Sequence, residues 1–97
     1  MNAADCGKIA DFFNALAHPV RVKIVTKLLR DEKCVGDIKE LLKVKQPNVS
    51  QHLSVLKSRG IVDWRQEGKK KCYFLKNPRL MQSILNTLKK DKIHYFK

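Results

Sequence analysis

The stretch from Gln46 to Gly60 carries hydrogen-bonding side chains at the spacing of one helix face. Val49, Leu53 and Leu56 recur at intervals of four and three residues, which predicts a single apolar stripe on a helix over about residues 46–59. The side chains that point away from this stripe are short amides and hydroxyls, with basic residues at the far end. Amides and hydroxyls can read base edges in a major groove, while lysine and arginine hold phosphates. The stretch therefore predicts a DNA recognition helix, which a glycine in the left-handed conformation would end.

The composition favours the same kind of partner. The chain has 97 residues, enough for one small domain, and its 21 Lys and Arg against 9 acidic residues give a net charge of +12. Such a charge favours nucleic acid first and an anionic membrane second. No apolar run approaches the ~20 residues of a membrane span, and the N-terminal residues lack the pattern of a signal peptide. Three widely spaced cysteines do not resemble a secreted disulfide framework, so we expect a cytoplasmic protein. We expect no membrane partner, because the helices place their apolar residues where a core and a dimer need them.

The elements before the recognition helix have clear boundaries. Apolar periodicity predicts a first helix over residues 4–16, which the sequence Ala-His-Pro ends because the residue before proline avoids the helical region. A second helix starts at the proline and ends near Arg30 and Asp31. Glu32 to Cys34 is expected to be a short extended connector. A third helix over residues 35–43 then lies only a few residues before the recognition helix, which is helix-turn-helix spacing.

The period changes after the recognition helix. Residues 61–65 and 71–75 have the composition of strands, and residues 66–70 form a turn that contains a glycine and two lysines. This predicts a β-hairpin with a basic tip. Asn77 and Pro78 then predict the start of a last helix, with the asparagine as its cap.

These elements together predict a winged helix-turn-helix domain, mainly α with a β-hairpin wing. The expected order is ααααββα in a single domain over residues 1–97, with the wing over about residues 61–75. The first and last helices carry more apolar residues than one small core requires. A homodimer formed through these two helices would bury the excess, and its two-fold axis would suit an inverted-repeat DNA site.

Three motifs in order resemble the ArsR/SmtB family of winged-helix repressors. Residues 15–21 resemble the opening "ALA(D/H)PxR", and residues 46–62 resemble the recognition segment "Q-x-x-(V/L)-S-x-H-L-x-x-L-(K/R)…G-(L/I)-V". The wing is similar to "(R/K)-x-G-(R/K)…Y-x-L" at Arg65, Gly68, Lys69, Tyr73 and Leu75. The resemblance extends from about Ile9 to Leu88. It implies a homodimeric repressor that binds operator DNA and releases it when a metal ion, a metalloid or a thiol oxidant binds.

The predicted DNA contacts lie on the recognition helix and the wing. Gln51 could bind an adenine edge through two hydrogen bonds, and Ser50 a phosphate or a base. His52 lies nearer the apolar side, where bracing the helix and contacting DNA are both open, whereas His18 is expected to cap or pack. The expected set is Gln46, Asn48, Ser50, Gln51, His52, Ser54, Lys57, Arg65, Lys69, Lys70 and Lys71.

The cysteines are candidates for binding an effector. Residues 32–38 resemble the family's thiol metal-binding box "E-x-C-V-C-D-(L/I)", with Cys34 as the first thiol and Gly36 in place of the second. Soft ions such as As(III) or Cd(II) prefer at least two thiolates. In a winged helix the connector before the third helix often pairs with the returning wing strand, which would bring Cys34 near Cys72. The resemblance also implies that Cys6 of the other protomer could complete the site. One or more of the three could instead be ordinary small buried residues.

Several functions remain open from the sequence. The preferred interpretation is a repressor released by a thiol-binding metal or metalloid ion. A thiol redox or persulfide-responsive repressor is an alternative, and so is a DNA-binding or architectural module without an effector. No enzyme is expected, because none of the cysteines has a histidine adjacent to it in sequence.

Overall fold

The helices and strands follow the order expected of a winged helix-turn-helix. The computed structural model describes residues 1–42 and 48–90. Within these ranges the elements are α1 (Ala3–Leu16), α2 (Pro19–Leu28), β1 (Lys33–Cys34), α3 (Val35–Leu42), α4 (Val49–Ser58), β2 (Val62–Glu67), β3 (Lys70–Leu75) and α5 (Pro78–Lys90). The predicted architecture is therefore confirmed, and the extended connector is a short strand.

The corner between α1 and α2 is held by a histidine cap. The backbone N–H of Val20 donates a hydrogen bond to Nδ1 of His18 over 3.1 Å, and Pro19 occupies the first turn of α2. This confirms the expected capping role of His18. The second helix ends at Leu28, before the predicted end near Arg30 and Asp31, because the chain already turns there towards β1.

The recognition helix, α4, begins at Val49 with Asn48 at the N-cap position. Its predicted start near residue 46 lies outside the described residues, which leave out 43–47. Its end matches the prediction. Gly60 has a φ of +73°, and its N–H donates to the carbonyl of Lys57 over 3.0 Å. The N–H of Ile61 donates to the carbonyl of Leu56 over 3.0 Å, which completes a Schellman motif.

The core lies between the helices and one face of the sheet. The inward residues of α4 are at most 1% exposed, and they pack with apolar side chains of α2, α3 and the wing. Fully buried side chains of this core are Ile24, Val25, Ile38, Val49, Leu53, Leu56 and Val62. The apolar stripe of α4 is thus covered by α2 and α3 on one side and by the wing on the other, and the opposite face of α4 is exposed.

The sheet has the strand order β1-β3-β2, and all its pairs are antiparallel. Glu67 pairs with Lys70, so only Gly68 and Lys69 lie between the strands. The prediction of a turn over residues 66–70 was therefore wrong in length. The ends of both strands consist of exposed polar residues without the apolar alternation that indicates a strand, so the sequence did not show that the strands extend this far. Gly68, with a φ of +61°, makes the tight turn.

An apolar surface remains on α1 and α5. Phe13 is 55% exposed and Leu88 42% exposed, and both line a groove of 780 Å³ between α1, α2 and α5. Ile9 and Leu80 are exposed on the same two helices. No helix in the described ranges has the length and apolar character needed to cross a membrane.

Candidate DNA-binding surface and thiol site

The outer face of α4 presents most of the predicted DNA contacts together. The side chains share an exposed position on the side of the helix away from the core, and they are Asn48, Ser50, Gln51, Ser54 and Lys57. Asn48 makes no side-chain capping hydrogen bond. Gln46, also predicted to contact DNA, lies outside the described residues. The exposed face is thus a row of amides and hydroxyls that ends in a lysine, as the sequence indicated.

His52 lies at the inner edge of this face and is half-buried. Nε of Arg21 donates a hydrogen bond to its Nδ1 over 3.2 Å, and the ring centroids of His18 and His52 are 4.4 Å apart. Burial lowers the pKa of His52, and the charges of His18 and Arg21 lower it further. His52 therefore accepts a hydrogen bond in its neutral form and braces α4 against α2, one of the roles that the sequence left open.

Carboxylates hold several of the basic side chains around α4. Arg59 pairs with Asp11 over 3.3 Å, and Lys57 lies 4.0 Å from Asp63. These side chains are about half exposed, and such pairs contribute only ~0–1 kcal/mol each. A DNA phosphate could therefore replace either carboxylate at small cost.

Arg65, predicted to contact phosphate, is held in the same way in the middle of β2. Its guanidinium pairs with the carboxylate of Glu32 and, over 3.0 Å, with that of Glu67. Glu32 precedes β1, whereas Arg65 and Glu67 both lie in β2, so the pair between Arg65 and Glu32 joins the connector to the wing. Arg65 would have to leave or share these partners to contact DNA.

The wing tip has a different environment. Lys69, Lys70 and Lys71 are exposed, and among the described residues none of the three forms a salt bridge. Nζ of Lys71 lies 4.4 Å from the ring centroid of Trp64, a cation–π contact that orients it along the wing. The tip is therefore a cluster of positive charge at the end of the hairpin whose first strand, β2, packs against the recognition helix.

Cys34 and Cys72 face each other across the sheet. They are directly paired residues of β1 and β3, their Cα atoms are 3.8 Å apart, and they form a disulfide. Cys72 is 1% exposed, while Cys34 is half-buried and provides the accessible side of the pair. The predicted proximity of these two residues is confirmed. Cys6 is a free, exposed thiol on α1 and does not join them within the protomer.

Glu67 completes this cluster and was missed from the sequence. Its Oε2 atom lies 3.7 Å from Sγ of Cys72, and the two sulfur atoms and a Glu67 carboxylate oxygen lie within 4.8 Å of one another. Because Arg65 pairs with Cys72, the side chain two residues further along β2 lies on the same sheet face. A two-residue turn, which Gly68 signals, would have placed Glu67 there. Once reduced, the thiols and this carboxylate could hold a metal ion.

Comparisons with known proteins agree with this architecture. Residues 18–63, from α2 to the start of the wing, match the family model described as bacterial regulatory protein, arsR family. The repressor SmtB of Mycobacterium tuberculosis is 37% identical over 78 residues, 80% of this chain and 58% of that protein. The cadmium resistance transcriptional regulatory protein CadC of Listeria innocua is 37% identical over 78 residues, 79% of this chain and 66% of that protein. The chain thus spans less than two thirds of the length of either relative.

A solved structure has the same fold over nearly the whole chain. It is the homodimeric winged helix-turn-helix DNA-binding domain of a possible ArsR-family transcriptional regulator from Mycobacterium bovis. The TM-score is 0.85 at 26% identity, with 98% of this chain and 91% of that chain covered. The similarity includes the helices that carry the exposed apolar groove.

Proposed function

Because this chain belongs to the ArsR family of bacterial regulatory proteins, we propose that it is a homodimeric transcriptional repressor acting on operator DNA in the cytoplasm. We further propose that an effector that reacts with Cys34 and Cys72 lowers its affinity for DNA. The exposed row of amides and hydroxyls on α4, in a domain whose wing also exposes lysines, is the single observation that carries the DNA-binding part.

The proposed binding mode follows from this surface. The outer face of α4 enters the major groove, where Gln51 reads an adenine edge and Ser50 contacts a base or phosphate. The wing lies over the adjacent backbone, where its lysines neutralise phosphates. The full set of proposed contacts is that predicted from the sequence, and it includes Gln46, His52 at the inner edge of the α4 face and Arg65 in β2.

The exposed groove on α1 and α5 supports the dimer. Phe13 and Leu88 are too exposed for core residues, and a second copy of the chain would cover them. An isologous interface through these helices gives two recognition helices related by a two-fold axis. The operator is then an inverted repeat whose half-sites lie about one helical turn, ~34 Å, apart.

The position of the thiol pair supports control of DNA binding. Cys34 ends β1 directly before α3, the first helix of the helix-turn-helix, and Cys72 lies in the central strand of the wing sheet. A bond made or broken between them therefore changes the link between the helix-turn-helix and the wing, which are the two elements proposed to contact DNA. Such a change regulates the protein only if the modified state has a different affinity for DNA.

The disulfide favours a second candidate, a redox-controlled repressor. Two thiols and a hydroperoxide, ROOH, give the Cys34–Cys72 disulfide, an alcohol and water. The thiols lose two electrons and two protons, and the O–O bond is reduced. The Cys34 thiolate would attack the hydroperoxide first, because Cys72 is buried, and Cys72 would then displace water from the oxidised Cys34 to form the disulfide.

Fluorescence anisotropy on a palindromic operator obtained by selection tests both parts. Reduced protein is titrated alone, with Cd(II) or As(III), and with a hydroperoxide. We expect tight, sequence-specific binding, and release that Cys34→Ser abolishes and the control Cys6→Ser retains. Release by an ion makes the protein a metal or metalloid sensor, and release by hydroperoxide alone makes it a redox switch.

Two results would contradict the proposal. Specific binding that no reagent changes would refute thiol control and leave the repressor. Weak binding with steep salt dependence and no preferred site would refute the repressor and indicate an architectural module.

A further inference from the structure

The carboxylate of Glu67 has two different neighbours. Its Oε1 atom accepts a hydrogen bond from Arg65 over 3.0 Å, while its Oε2 atom lies 3.7 Å from Sγ of Cys72. One oxygen is therefore turned towards the wing surface and the other towards the thiol pair. Its side chain is 51% exposed, so it can adjust without disturbing the core.

We propose that reduced Cys34 and Cys72, together with Glu67, form a site within one protomer for a divalent d10 ion such as Zn(II) or Cd(II). The proposal deepens the proposed function, on which it rests, because it names the effector class of the same thiol pair. The ion displaces one proton from each thiol and is held by two thiolates and one carboxylate. One ion binds per protomer, and all three ligands come from β1, β2 and β3.

The mixed ligand set selects this class of ion. Zn(II) accepts cysteine sulfur and carboxylate oxygen in one tetrahedral site, and Cd(II) has the same charge and filled d shell. As(III) bonds to sulfur, so a carboxylate adds little to a pair of thiolates for that ion. Glu67 thus favours the divalent ions over the metalloid.

The geometry also makes a cysteine from the other protomer unnecessary. Cys6 lies exposed on α1, outside the cluster of the two thiols and Glu67. A site within one protomer fills without dimer formation. A site completed by Cys6 of the partner subunit would lose affinity on dilution to monomers.

Cadmium titration of the reduced, metal-free protein tests the ligand set without DNA. The sulfur-to-cadmium charge-transfer absorbance gives the stoichiometry, and competition with a chromophoric chelator gives the affinity. We expect one ion per protomer, and a loss of affinity of at least about tenfold in Glu67→Gln, in line with other metal-site substitutions. Cys34→Ser should remove the absorbance band, while As(III) affinity should be the same in wild type and Glu67→Gln.

Two control variants make the result specific. Glu32 pairs with Arg65 as Glu67 does but lies outside the cluster, so Glu32→Gln should bind Cd(II) like wild type. Cys6→Ser should do so as well. Unchanged affinity in Glu67→Gln, or lost affinity in Cys6→Ser, would overturn the proposed site. Neither outcome bears on operator binding, and failure of operator binding leaves the cadmium result standing.

Discussion

Nε of Arg21 donates a hydrogen bond to Nδ1 of His52 over 3.2 Å, although 31 residues separate the two in sequence. The same guanidinium donates to the carbonyl oxygen of Ala15 over 3.3 Å. A single side chain therefore connects the end of α1, the start of α2 and the recognition helix. The orientation of α4 depends on this polar contact as well as on the buried stripe that includes Leu53.

The contact makes stability depend on pH through His52. Burial first, then the nearby positive charges, lower the pKa of His52 below its ordinary value of 6.5. As the pH falls through 6.5, the unfolded chain takes up a proton that the folded protein resists, so the free energy of unfolding should decrease until the folded pKa is passed. Urea denaturation of wild type and His52→Asn at about pH 5.5 and 7.5 measures this. Equal losses of stability on acidification in both proteins would contradict the role of His52.

Gly60→Ala should destabilise the protein by about 1–2 kcal/mol. The reason is its φ of +73°, a backbone conformation that residues with a Cβ rarely adopt. A steric clash is not the cause, because no atom lies within 4 Å of the added methyl group. Gly36→Ala is the matched control, because Gly36 lies in α3 with the same open space and no positive φ. Thermal unfolding should show a lower Tm for the first variant and an unchanged or higher Tm for the second. Similar Tm values for the two would show that the backbone conformation at Gly60 is not the cause.

Local signals explain which features the sequence could predict. The stripe of Val49, Leu53 and Leu56, and the glycine after it, each depend on residues a few positions apart, so α4 and its end could be read directly. The proximity of Cys34 and Cys72 is predictable because the winged-helix topology brings their two strands together.

Polar contacts between distant elements could not be predicted in this way. Nothing in the local pattern indicates that Arg65 pairs with Glu32, or that Arg59 pairs with Asp11. These contacts depend on the packing of whole elements against one another. The position of Glu67 depends on a more local feature, the length of the turn. The predicted turn over residues 66–70 included Glu67, so it was not assigned to the strand face that carries Cys72.

Phe13→Glu should convert the proposed dimer to monomers. Phe13 is 55% exposed in the groove between α1 and α5, where a carboxylate would be buried without a partner in the dimer. Sedimentation velocity at micromolar concentration measures the change. Gln66→Glu adds the same charge on the exposed wing and should remain dimeric. A dimeric Phe13→Glu variant would place the interface elsewhere.

Replacing Lys69 and Lys70 by alanine should weaken DNA binding without changing its sequence preference. Each phosphate contact contributes about 0.9 to the slope of log K against log salt, so the double variant, which removes four lysines from the proposed dimer, should lose up to about 3.6. Titrations on operator and random DNA at several salt concentrations provide both slopes. Lys76→Ala, at an exposed lysine just beyond β3, should keep the wild-type slope. An unchanged slope in the double variant would show that the wing tip does not contact phosphate.

Gln51→Ala should have the opposite signature. The side chain is exposed on the outer face of α4 and carries no charge, so its loss should remove base recognition and leave phosphate contacts intact. We expect operator affinity to fall by about 1–3 kcal/mol in each half-site, or about 2–6 kcal/mol for the proposed dimer, with the salt slope and the affinity for random DNA unchanged. Ser58→Ala is the control within the same helix, because the Ser58 hydroxyl donates to the carbonyl of Val55 and follows the proposed contacts. If Gln51→Ala bound operator and random DNA with the same losses, Gln51 would contact the backbone instead of a base.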